Sequence, residues 1–267
     1  MTALMVLTGA ERCFIYWLAY AFVGWAWETG LSVVLRRRFE DRGVLNGPLC
    51  PIYGFGGLLA VAMLGDVSNP VALFLSCGVL ACTLEYLSSW AIEALFHVRL
   101  WDYTGKPFNI NGRVYLNGFL AFGAGATAVV MVVQPWMAGI VESWPPLVLH
   151  LVAGLLCAAT LADAAVTVAG LVSFDTRLGR VAEDLKELKL EQIRGIDDRI
   201  TAADEQWERR MAEARSDLET ASEEARGRIR GTLNWQQRRL IRIFPTLTSS
   251  RDAGLAERIR ALLERRR

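Results

Sequence analysis

The chain is poor in the residues that build metal centres and covalent frameworks: it has two histidines, His97 and His150, and five cysteines in 267 residues. Cys13, Cys50, Cys77, Cys82 and Cys157 all lie in apolar stretches, no two form a CxxC pair, and no histidine stands beside them at ligand spacing. The cysteines therefore read as small buried hydrophobes, and no metal and no cofactor is expected. An excess of charge is also lacking. A formal net charge of +1 gives no basic field for a polyanion, which speaks against nucleic acid as a partner. There is no Walker A sequence and no Ser-His-Asp or Cys-His constellation. The N-terminus lacks the basic region of a signal peptide and runs past Glu11 and Arg12 into an apolar segment too long for one, so no cleaved leader is expected.

Apolar residues are abundant, at 53%, and charge is unevenly placed. Residues 1–174 hold 8 Lys+Arg and 10 Asp+Glu, while residues 175–267 hold 21 and 18. This split predicts an all-α protein with a transmembrane domain over 1–174 and a cytoplasmic helical tail over 175–267. A span needs about 20 apolar residues. Phe14–Leu35, Val71–Phe96, Val114–Gly139 and Leu147–Phe174 meet that length. Val44–Leu64 is a fifth, but Asn46, Gly47, Pro48 and Pro51 interrupt its start. That start is expected to be irregular or re-entrant, which lipid tolerates only where protein or water satisfies the backbone.

Lys and Arg stay on the cytoplasmic side. Arg36, Arg37, Arg38 and Arg42 follow the first span and Arg99, Lys106 and Arg113 the third, while the loops at 65–69 and 140–146 have none. The N-terminus is therefore expected outside and the C-terminus in the cytoplasm, with Arg12 the one dissenting charge. Gly118, Gly123, Ala124, Gly125 and Ala126, and the alanines at 158, 159, 162, 165 and 169, are expected to let helices approach closely.

Four acids lie inside spans: Glu28, Glu85, Glu93 and Asp163. Each costs about 2.5–3.5 kcal/mol at a helix centre unless it faces inward, pairs or stays protonated. They line either a cytoplasm-facing polar cavity that binds an ion or a substrate, or they act as interhelical glue. Two loops face the same side. Residues 42–54, with Arg42, Asn46 and Tyr53, form a turn ahead of a helix, either an anion site of backbone N–H groups or a fixed membrane-inserting turn. Residues 100–113 place Trp101, Tyr103 and Phe108 for an interfacial belt, and Asp102, Asn109 and Arg113 to close over the acids.

Gly24-Trp-Ala-Trp-Glu28, Arg42-Gly43, Gly47-Pro48, Pro51-Ile-Tyr-Gly54, Glu85, Glu93, Trp101-Asp-Tyr103, Phe108-Asn109 and Gly112-Arg113 together resemble the bacterial ABC-transporter type IV (CmpB-like) membrane family over about residues 12–174. Leu100 departs from the paired tryptophans such proteins tend to have before Asp-Tyr. The resemblance implies a permease of the bacterial inner membrane that works with a separate ATPase subunit. Five spans are few for a transporter, so a homo-oligomer is expected.

From Leu178 to Leu233 apolar or small residues recur about every 3.67 residues, close to an eleven-residue repeat. This predicts one long, nearly straight helix that pairs with a second copy or a partner, or stands solvated. Trp235–Phe244 is basic and apolar together and is expected on the anionic inner leaflet. Three functions fit these features: a permease-like component, a membrane scaffold that recruits partners through its tail, or a membrane enzyme on a lipid-linked substrate with Glu85, Asp102 and Arg113 at its centre.

Overall fold

A computed structural model describes residues 3–264 apart from 38, 40–42, 201–206, 245 and 250–253. The chain forms two compact units, residues 1–95 with 101–169 and residues 96–100 with 170–267.

The first unit is a bundle of α1 (Ala3–Arg36), α2 (Pro51–Leu64), α3 (Pro70–Phe96), α4 (Leu116–Ala128), α5 (Gln134–Val141) and most of α6 (Pro146–Val172). Proline places several of the starts. Pro51 occupies the first turn of α2, where its missing N–H leaves no hydrogen bond unmade. Asn69 caps α3 by accepting from Val71 N and Ala72 N. A single π turn, Val129–Val133, joins α4 to α5. Pro135 follows it at the start of α5, where a residue without an N–H disturbs the regular ladder.

Pro70–Phe96, Leu116–Val141 and Pro146–Val172 are long and apolar enough to cross a membrane. The other two expected spans differ. α1 is longer, at 34 residues, but Tyr16, Trp17, Tyr20, Trp25, Trp27 and Glu28 dilute its apolar character. α2 has 14 residues, about 21 Å, against the roughly 30 Å of hydrocarbon. Its first turn lies beside the middle of α1, where Cys50 N donates to Ala21 O at 3.0 Å. The irregular start expected for this segment is therefore present, and it lies deep in the bundle.

α1 and α2 pack antiparallel through glycine. A Cβ on Gly57 would come within 2.5 Å of the Tyr20 ring, and one on Gly24 would overlap Tyr53. Gly123 of α4 likewise lies against Phe74 and Gly78 of α3. The expected close-packing role does not extend to every small residue: Gly125 has nothing within 4 Å, and the alanines at 158, 159, 162, 165 and 169 of α6 are exposed. At the end of the bundle away from the loops at 43–50 and 101–115, Ile15, Tyr16, Tyr20, Val141, Leu149 and Ala153 form a core. There Tyr20 donates to Gln134 and His150 pairs with Glu11 at 2.7 Å.

The second unit corrects the reading of the tail. α7 (Phe174–Ile200) and α8 (Trp207–Thr232) run antiparallel, so that Arg177 reaches Thr232 O and Arg228 lies 3.7 Å from Glu187. The expected single straight helix is a hairpin instead, because its apolar stripe is buried within the chain, at Leu178, Val181, Leu188, Ala225, Ile229 and Leu233. The side chains of the middle of that stripe, at 189–215, lie outside the described residues. α9 (Trp235–Ile243) is not a surface helix either: Gln236, Gln237, Arg239, Leu240, Ile241 and Ile243 are buried. Asn234 and Gln237 close a reciprocal capping box, and Gln237 Nε2 donates to Gly170 O and Ser173 Oγ. α10 (Leu255–Glu264) adds Leu255, Ala256 and Ile259 to the core. A two-residue strand β1 (Val98–Arg99) pairs antiparallel with β2 (Thr248–Ser249), with Val98 and Leu100 buried. The short segment after α3 thus belongs to the C-terminal unit.

Candidate functional site

The first unit gathers Glu28, Glu85, Glu93 and Asp163 at three places. Asp163, on α6, accepts from Asn46 N at 2.9 Å, Asn46 Nδ2 at 2.8 Å and Gly47 N at 2.7 Å, with Thr167 Oγ1 at 3.4 Å. The turn expected to be either an anion site or a fixed membrane-inserting turn directs Asn46 N and Gly47 N to the chain's own Asp163 carboxylate. These backbone N–H groups lie outside any helix, and Asp163 supplies their acceptor. Asp163 and Asn46 thus come together across 117 positions of sequence. Arg42 lies outside the described residues.

Arg113 makes the second cluster. It is buried, with its guanidinium 2.7 Å from Glu93 Oε2 and 3.0 Å from Ser89 Oγ, and its Cζ 5.6 Å from the Tyr86 ring centroid. Ser89 and Glu93 lie one turn apart on α3, so one planar fork engages both. Trp101 Nε1 donates to Arg113 O and Asn111 Nδ2 to the Tyr86 hydroxyl, fixing the loop on the same helix.

That loop, residues 101–115, is held by its own polar groups. Asp102 Oδ1 accepts from Thr104 N and Oγ1, and Asn109 bridges Thr104 O, Lys106 O and Gly112 N. Gly112 has φ +66°, and a Cβ there would come within 2.5 Å of Asp102 Oδ1, so glycine is required on both counts. Asp102 and Asn109 thus shape the loop.

The third cluster is the candidate site. Tyr53 of α2 donates its hydroxyl to Glu28 of α1, and Tyr103 of the loop donates to Glu85 of α3. Tyr115, just before α4, has its ring centroid 4.5 Å from that of Tyr103, and Phe122 of α4 meets Tyr53 edge-on. Glu28 and Glu85 are near enough to act electrostatically on the same tyrosines. Burial pushes the phenols of Tyr103 and Tyr115 up, and the Glu85 carboxylate adds to it, so both stay protonated donors. Glu85 is 5% exposed, and its Oε2 has no hydrogen-bond partner among the described residues. No cation pairs with either acid among the described residues.

Of the expected site residues, Glu28, Tyr53 and Glu85 come together here, Glu93 and Arg113 form their own pair, Asn46 and Asp163 meet at the turn before α2, and Asp102 and Asn109 bond within the 101–115 loop. Tyr103 and Tyr115 were not read as site residues: a tyrosine in a loop beside a span has the same sequence signature as a belt residue. Among the described residues no group of three or more His, Cys, Asp or Glu is placed to hold a metal ion.

No curated protein and no solved structure matches the chain. The family described as "Putative ABC-transporter type IV" matches residues 15–168, which include the α1–α3 acids, the 101–115 loop and Asp163. A bundle of apolar helices with this ordered set of polar contacts is what that match covers, and since it takes in more than half the chain, the protein belongs to that family.

Proposed function

We propose that the chain is a permease-like component of a bacterial inner-membrane transport system, with the Glu28–Glu85 centre on the path of an ion or polar substrate. The observation that carries this is the gathering of two acids and three tyrosines from α1, α2, α3 and the 101–115 loop without a compensating cation among the described residues. Glue needs no uncompensated pair. Asp163 and Glu93 show what glue looks like in the same bundle, each with its donors supplied.

In this reading residues 1–174 form the transmembrane domain, crossing five times, and 175–267 the cytoplasmic domain. The α2 segment crosses by joining an irregular stretch to a short helix. The charge bias of the loops supports an external N-terminus and a cytoplasmic C-terminus, although Arg113 is held by Glu93 and leaves six loop charges of seven. A separate ATPase subunit and a homo-oligomer complete the assembly. Deletion and complementation with Glu28→Gln and Glu85→Gln tests the reading. A stable, inserted double variant with full wild-type phenotype ends it, as does the failure of any ATPase to co-purify from gently solubilised membranes.

One observation favours the scaffold reading instead. The tail is a folded unit, and between the start of α7 and the end of α8 it carries a groove of about 450 Å³ lined by Arg177, Arg180, Glu183, Asp184, Gly231 and Thr232. Loss of function on reversing Arg180 and Asp184, with the membrane acids dispensable, would move the activity to the tail.

A further inference from the structure

This inference rests on the reading that the Glu28–Glu85 centre is functional, and concerns what it binds. The titratable groups that face it are Glu28 on α1, Tyr53 and Cys50 at the start of α2, Cys82 on α3, Tyr103 in the loop and Tyr115 before α4. All are acids or weak acids. The buried guanidinium of the unit, Arg113, is engaged by Ser89 and Glu93. Glu85 is 95% enclosed by its 5% exposure, and its Oε2 faces neither donor nor cation among the described residues. An ionised oxygen left so bears its full desolvation cost. A Cβ on Gly118 would lie 3.6 Å from Oε2 and 3.5 Å from the Tyr115 ring, an ordinary contact and not an overlap.

We propose that Glu85 Oε2, with Glu28 as companion charge, is the seat of one exchangeable monovalent cation, either a proton or a desolvated alkali ion. Carboxylates and phenol oxygens are hard donors suited to such an ion. With only these two carboxylates the centre lacks the ligand number of a calcium cage. Exchange of this ion with the aqueous phase would couple the bundle to an ion gradient.

The test uses the full-length protein in lipid nanodiscs. Melting is followed at fixed pH and ionic strength in Li⁺, Na⁺ or K⁺ against choline, and the infrared carboxyl bands are titrated with pH in choline alone. For an alkali ion, one of the three raises Tm, the rise is lost in Glu85→Gln, and it is weakened in Gly118→Ala, whose methyl occupies the ion's place. For a proton, the alkali series is flat, a carboxyl band titrates in wild type and in Gly118→Ala, and Glu85→Gln removes it. Should Glu85→Gln not fold, Glu28→Gln serves instead: it keeps Oε2 and removes the companion charge, and should shift half-saturation by about tenfold. A wild-type protein that responds to neither alkali ion nor pH overturns the proposal, and so does a response unchanged by these variants. A phenotype lost in Glu85→Gln with the cation response intact overturns the proposal and leaves the permease reading standing. The cation response without any transport phenotype does the reverse.

Discussion

The two units of this chain satisfy polar groups by opposite means. In the membrane unit a carboxylate comes to neutral donors: Asp163 serves the backbone of Asn46 and Gly47, and Glu28 and Glu85 take phenol hydroxyls. In the C-terminal unit an arginine comes to neutral acceptors. Arg177 and Arg238 donate to the last carbonyls of α8 and its following turn, at Thr232, Arg230 and Leu233. Arg260 donates to Ile241 O and Phe244 O at the end of α9, and Arg226 to Leu262 O in α10. Helix C-termini carry orphan carbonyls and a partial negative charge, and guanidinium groups answer both. Within the 235–244 segment expected on the inner leaflet, Arg238 instead donates to carbonyls at the end of α8. The lesson is that a charge count locates a segment but leaves the partner of each charge open.

The comparison can be broken most severely at Asp163. Asp163→Ala removes the acceptor of three short hydrogen bonds in a lipid environment, and should cost about 4 kcal/mol or more, read as loss of folded, inserted protein. Full recovery in Asp163→Ala would show that water, and not this carboxylate, satisfies the 43–49 backbone. Next in size is Arg113→Gln, expected to cost about 2 kcal/mol because Glu93 keeps partial access to solvent. Adding Glu93→Gln should restore part of the loss, and a double-mutant cycle measures the coupling. In the C-terminal unit the effects should be smaller. Arg260→Met leaves two carbonyls of α9 without their donor and should cost about 1–1.5 kcal/mol, seen as faster amide hydrogen exchange at Ile243 and Phe244. Asn234→Ala removes the N-terminal cap of the same helix, for about 1 kcal/mol, with faster exchange at Gln237. Equal losses at Asp163 and Arg260 would erase the distinction between the two units.

Much of the bundle was legible because its signals are local. The runs Val71–Phe96, Val114–Gly139 and Leu147–Phe174 correspond to Pro70–Phe96, Leu116–Val141 and Pro146–Val172 within two residues or so at each end, since proline and continuous apolar residues mark them. Asn46, Gly47 and Pro48 announced an irregular stretch, which is there. What sequence left open was pairing. The cost of Asp163 in lipid was visible, but not that it is met by a backbone segment far earlier in the chain. Glu85 was singled out for burial, yet Tyr103, its donor, looked like one more interfacial aromatic. In the tail, periodicity marked Leu178, Val181, Leu188, Ala225, Ile229 and Leu233, which are buried, but was silent on the hairpin that brings them together. The strands β1 and β2 have two residues apiece, too short for an alternating pattern.

The bond from Gly47 to Asp163 joins residues 116 positions apart, and this has a consequence for the order of synthesis. A ribosome adding about 5–20 residues per second needs roughly 6–23 seconds to travel between them. Throughout that interval the 43–49 segment has been made and its acceptor has not. The bundle therefore cannot close around its second helix as chain elongation proceeds, and α6, the last membrane helix to emerge, acts as the latch. A chain that ends before residue 163 lacks the carboxylate that accepts from Asn46 N and Gly47 N.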